Sequence, residues 1–125
     1  MAADISQFEE WAGSGRGLYA RPIMPNNKVA LLSHIQGIHY SVNDVEIPGT
    51  TVEGDLVVAN VMFVAAQAWN KDKVGYTFLW PAPGTLWPAY GKTYRVVVEF
   101  TQTGPEGGLS FKEVWEVTTK DPKGA

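Results

Sequence analysis

Apolar and polar residues alternate most regularly between Gly91 and Thr118. Tyr94, Val96, Val98 and Phe100 fall on one parity, and Thr93, Arg95, Val97 and Glu99 on the other. That is the period of a strand with one buried face. The break Gln102-Thr103-Gly104-Pro105-Glu106-Gly107-Gly108 suits a reversal of the chain, and a second run extends from Leu109 to Thr118. The two runs predict a long antiparallel hairpin on which other strands can build. Glu113 interrupts the second run. It shares the parity of Phe111 and Trp115, so either a carboxylate is buried there or a bulge turns the strand over.

Shorter runs precede this hairpin. Leu18–Met24 reads as a short strand closed by Pro22, Pro25 and Asn26-Asn27, and Val29–Leu32 is a brief apolar run. Ile38, Tyr40 and Val42 alternate with His39 and Ser41. Asn43-Asp44 and Pro48-Gly49 punctuate the chain beyond Val42, and Thr50–Glu53 predicts an edge segment. Leu56–Trp69 is mixed. Its first residues look like strand, whereas Ala65, Ala66 and Ala68, with Met62, Ala66 and Trp69 at helical spacing, predict a short helix around residues 61–69. Asn70–Lys73 is a polar turn, and Tyr76, Phe78 and Trp80 mark another strand. A three-proline loop, Pro81–Tyr90, leads into the hairpin. The count is about six to eight strands at a spacing near ten residues, which points to an all-β antiparallel sandwich.

At the N-terminus, Phe8 and Trp11 lie three apart behind Asp4, which predicts one or two helical turns over Ile5–Trp11. Gly13-Ser14-Gly15-Arg16-Gly17 reads as a flexible joint. The expected organisation is an N-terminal arm over residues 1–17, a single sandwich domain over 18–119 and a polar tail over 120–125. Phe8 and Trp11 would dock such an arm on a neighbouring subunit, since large rings are costly to leave in water. The bland alternative is an ordered arm or a frayed tail.

Composition narrows the function classes. The 125 residues make one domain with a real core, 45% hydrophobic and 18% charged. A net charge of −3 without a basic run leaves nucleic-acid binding unsupported. With no cysteine, disulfides and thiolate metal sites are excluded. No apolar run reaches the roughly 18 residues of a membrane span, and no secretory signal is evident. A soluble product made in the cytoplasm is expected, with neither membrane nor nucleic acid as partner.

Ile38-His39-Tyr40-Ser41-Val42-Asn43-Asp44, Val61-Met62-Phe63 leading to Gln67 and Trp69, Gly75-Tyr76-Thr77-Phe78 and Gly91-Lys92-Thr93-Tyr94-Arg95-Val96 together resemble small uncharacterised proteins of phage and prophage structural genes. The likeness runs over roughly residues 30–119. It implies an immunoglobulin-like sandwich and a virion-associated or assembly role, and it carries over no catalytic residue.

Candidate chemistry is sparse. His34 and His39 are five apart, an odd spacing that puts them on opposite faces of a strand, so they do not form a metal pair without carboxylates such as Asp44 or Glu46. No metal or cofactor is expected. Glu113 is the one carboxylate placed to be perturbed, with Arg95 as a candidate cross-strand partner. No serine sits in a nucleophile elbow, and the glycines at 13, 15 and 17 lack the strand and helix of a phosphate loop. Trp80, Trp87 and Tyr90 offer a proline-stiffened aromatic platform for a sugar ring, another small ligand or another protein. The alternative is that Trp87 plugs one end of the sandwich. The reading these observations favour is a non-catalytic structural or assembly module acting as a homo-oligomer. Its rivals are a carbohydrate- or small-molecule-binding module using the Trp-Pro loop, and a small enzyme using Glu113 with a histidine.

Overall fold

The structure, a computed structural model, describes residues 5–47, 51–69, 74–103 and 109–120, with Ile5, Ser6 and Trp11 described through their backbone alone. The expected turns at Pro48-Gly49 and Asn70–Lys73, residues 104–108 of the glycine-rich break and residues 121–125 of the tail lie outside the described residues.

Among the described residues, eight strands make two sheets. In chain order they are β1 (Ile5–Trp11), β2 (Arg16–Ala20), β3 (Ile35–Asp44), β4 (Val52–Leu56), β5 (Met62–Gln67), β6 (Tyr76–Ala82), β7 (Thr93–Gln102) and β8 (Ser110–Lys120). A single helical turn, α1 (Val58–Val61), precedes β5. One sheet has the order β1-β8-β7-β3-β4 and the other β2-β6-β5. This is an all-β sandwich of immunoglobulin-like order, with the central hairpin inside the larger sheet. Tyr94, near the start of β7, accepts a hydrogen bond at its hydroxyl from the Ala89 N–H upstream (3.3 Å), a corner typical of such sandwiches.

The alternation sets the core. Tyr94, Val96, Val98 and Phe100 are all buried, as are Ile38 and Val42 on β3. From the smaller sheet, Phe78 meets Phe100 edge-on at 5.3 Å and Trp115 at 6.0 Å between ring centroids. Glu113 lies on the same inward face, opposite Val98, and the β7–β8 register runs unbroken from Thr93↔Thr118 to Thr101↔Ser110. There is thus no bulge at Glu113; the carboxylate is half-buried near the open end of the strand pair.

Two local expectations change. Ile5–Trp11 is not helical: it pairs in parallel with β8, from Ile5↔Val114 to Trp11↔Lys120. Seven residues form too short a helix to hold itself, whereas the free edge of β8 satisfies one whole side of the segment's backbone groups. The segment assigned to an arm is therefore a strand of the larger sheet. The glycine-rich joint after it is also anchored. The Ala12 N–H donates to the Lys120 carbonyl and the Gly13 N–H to the Trp87 carbonyl, both at 3.0 Å. The expected helix around 61–69 is displaced too. The helical turn ends at Val61, and the alanine-rich residues beyond it run as β5 along β6, because a sheet edge outweighs a weak propensity.

Candidate functional site

The Trp-Pro loop is a plug. Trp87 is fully buried, and its indole Nε1–H donates to the Ser14 carbonyl (2.6 Å). Phe8 meets it edge-on at 6.4 Å. Gly84, in a 3-10 turn (Gly84–Leu86), lies so close to the Gly13 carbonyl that no side chain fits there. Trp80 is also buried, its ring 4.8 Å from that of Tyr40. Of the three expected platform residues, only Tyr90 is exposed, at 62%. The loop folds inward over one end of the core together with Phe8 and the Gly13-Ser14 backbone, and that closure removes Trp80 and Trp87 from any ligand. Phe8 is half-buried against the core, so its ring serves the sandwich. The side chain of Trp11 lies outside the described residues.

The ionisable candidates separate as well. His39 stands on the outer face of β3, opposite Asp55 of β4 and Glu99 of β7. Its Nδ1 lies 2.9 Å from the Asp55 carboxylate, and its Nε2 lies 3.8 Å from Glu53. The bond to Asp55 holds the imidazole above its ordinary value, helped by the charges of Asp55, Glu53 and Glu99 against the opposing effect of desolvation. Glu113 faces inward, so His39 and Glu113 are on opposite faces of one sheet. The other histidine, His34, accepts the Leu31 N–H at Nδ1 (3.0 Å) and closes a 3-10 turn. The buried Asp44 caps a turn by accepting the Glu46 N–H (2.9 Å), and its other oxygen lies 3.7 Å from the Lys92 ammonium. Among the described residues no cluster of three His, Asp or Glu is set to hold a metal. Arg95 pairs with Glu116 (2.6 Å), its direct cross-strand neighbour, rather than with Glu113.

What the fold does assemble is a groove of about 480 Å³ between β1 and β2. Gln7 and Phe8 line it from β1, and Arg16 through Tyr19 from β2. Trp115 and Leu18 are its buried floor, while Ala68, Trp69 and Tyr76 close it on the far side. Tyr76 is the hub of an aromatic group, edge-on to Tyr19 at 4.9 Å and to Phe63 at 5.5 Å, and tilted against Trp69 at 5.8 Å. The Arg16 guanidinium covers the Phe8 ring at 4.2 Å and lies 3.5 Å from Glu10. The groove is lined mainly by aromatic and aliphatic groups, with one guanidinium at its side. Sequence reasoning missed Tyr19 and Tyr76 as surface groups. The available signal was Tyr19 alternating with the inward Leu18 and Ala20, on a strand whose partners were not visible.

A second feature lies in the segment that leads into the groove's far wall at Ala68 and Trp69. From Leu56 to Trp69 no residue is charged. Within this segment Val57 and Val64 are 63% and 74% exposed, and Ala65 and Ala66 are exposed beside Val64. The β5–β6 pairing is irregular here, with a shift between Met62↔Phe78 and Gln67↔Tyr76. Across that shift Val64, Ala65 and Ala66 are all exposed, while Phe63 packs on Tyr76.

No family model matches the chain, and no match was found among curated proteins or solved structures. No helix among the described residues is long and apolar enough to cross a membrane.

Proposed function

We propose that the chain is a non-catalytic structural or assembly module that acts as a homo-oligomer, joined through residues 57–66. The observation that carries this reading is the uncharged, exposed segment holding Val57, Val64, Ala65 and Ala66. Exposed apolar surface of this kind is unfavourable in water and marks contact sites. A second copy is the favoured occupant on electrostatic grounds. Each copy carries a net charge of −3, and residues 56–69 themselves bring no charge to such a contact. A two-fold contact of the segment with itself satisfies both copies at once. The resemblance to phage and prophage structural proteins supports a role in a virion or its assembly within the same reading. The rival sugar platform loses support because Trp80 and Trp87 are buried.

Sedimentation velocity over a wide concentration range tests the proposal. The expected result is concentration-dependent self-association that Val64→Lys abolishes, with an unchanged melting temperature. A protein that stays monomeric at every concentration, or a Val64→Lys variant that associates as well as the parent, overturns it.

A further inference from the structure

The groove between β1 and β2 runs along two strand edges, and its lining shows this directly. Arg16, Gly17, Leu18 and Tyr19 are consecutive, and side chains on a strand alternate in direction. All four can border one cavity only if the cavity follows the strand's edge. Gln7 and Phe8 border it in the same way from β1. The strand order agrees, since β2 ends its sheet and β1 ends the other, and no pairing joins them. In a four-stranded version of the smaller sheet, a first strand would lie beside β2. Here the first strand has gone to β8 instead, and the place beside β2 is the groove.

We propose that this groove accepts an extended peptide segment of another protein, which adds to the free edge of β2 as a fourth strand. Strand addition draws its affinity from main-chain hydrogen bonds and its specificity from pockets for alternate side chains. Both are provided. Pro81, opposite Gly17, has no N–H to give to β2, so the N–H and C=O groups of Gly17 and Tyr19 meet the incoming strand. One set of its side chains descends towards Leu18 and Trp115, and the other lies against Tyr19. The chemistry of the segment is set by the lining. Arg16 is the single charged residue among the groove's lining residues, a guanidinium that Glu10 meets at 3.5 Å on one side. Arg21 comes directly after the end of β2. The segment is therefore alternately apolar, free of lysine and arginine, and acidic at the end nearest Arg16. This goes beyond self-association, and it uses a different surface from Val57 and Val64.

The probe is a capped peptide of alternating valine and threonine ending in aspartate. Its control is the same peptide with every second amide N-methylated, and maltotriose stands for a ring-stacking ligand. Titration is followed by amide chemical shifts and hydrogen exchange. The expected result is saturable binding of the first peptide, with slowed exchange at Gly17 and Tyr19 and about tenfold weaker binding in Ala68→Arg, whose exposed side chain projects at the groove. Replacing the terminal aspartate by lysine should weaken binding as well. Val64→Lys should leave it unchanged, so failure here and failure of self-association are told apart. No binding at millimolar peptide, equal binding of the N-methylated control, or shifts at Tyr19 and Trp69 produced by maltotriose alone would each overturn the proposal.

Discussion

Trp87 is the residue on which two loops close. It fills the end of the core with no exposed surface, and its indole N–H satisfies the Ser14 carbonyl. Trp87→Ala is expected to cost about 3–5 kcal/mol, the range for emptying a buried aromatic site. Trp87→Phe keeps much of the volume but leaves the Ser14 carbonyl without its donor, at a cost of about 1–3 kcal/mol. Urea denaturation separates the two; equal losses would mean that the indole hydrogen bond, not the fill, holds the plug. Gly84 offers a second measure of the same clasp. A Cβ there would run into the Gly13 carbonyl, whereas one at Gly37 would meet nothing within 4 Å. Gly84→Ala should therefore destabilise by about 1–3 kcal/mol through overpacking, and Gly37→Ala should be close to neutral.

Among the elements, β1 differs most from its sequence signature. Phe8 and Trp11 at a spacing of three suggest a helix, yet the segment is a strand because β8 offers an unpaired edge. That edge is invisible in a local window. Phe8 is half-buried, packed between Trp87 and the Arg16 guanidinium. Phe8→Ala is expected to cost about 1–2 kcal/mol and to lower Tm by roughly 5–10 °C. An arm independent of the sandwich would leave Tm unchanged, so calorimetry decides directly. The hairpin of β7 and β8 was legible because β7 keeps strict alternation, β8 departs from it at Glu113, and both have a face in the core. The β5 segment was not, because its alanines carry helical propensity while its strand form depends on β6. The groove was the least legible feature. It is made by the absence, among the described residues, of a strand beside β2, and a missing partner leaves no residue pattern. Glu113 shows the converse case. The broken alternation was visible, but the choice between a bulge and an inward carboxylate needed the register with Val98.

At the scale of the whole molecule, two polar clusters on the outer face of the larger sheet make stability contributions that depend on pH in opposite senses. On one flank His39 bridges β3 to Asp55 and Glu53 of β4, with Glu99 of β7 on its other side. On the other, Glu116 of β8 accepts from Arg95 of β7 (2.6 Å) and from Gln7 of β1 (3.0 Å). The His39 pKa is raised in the folded protein above its ordinary value of 6.5, chiefly by the bond to Asp55. Its contribution is therefore complete below about 6.5 and is lost as pH rises through the folded value. Glu116 behaves in the opposite sense. The Arg95 hydrogen bond, then that from Gln7, lowers it below 4.5, so its contribution is complete above about 4.5 and is lost as pH falls through the folded value. Both contributions are present together between roughly pH 4.5 and 6.5. Denaturation midpoints across the pH range, taken as differences from the parent, should isolate each limb. The stability lost by His39→Gln should be largest in that window and vanish on the alkaline side, and that lost by Glu116→Gln should vanish on the acid side. Both clusters are exposed, so molar salt should shrink both differences. A His39→Gln difference that grows with pH would show that the imidazole is held neutral in the fold, and that β4 is not fastened by charge.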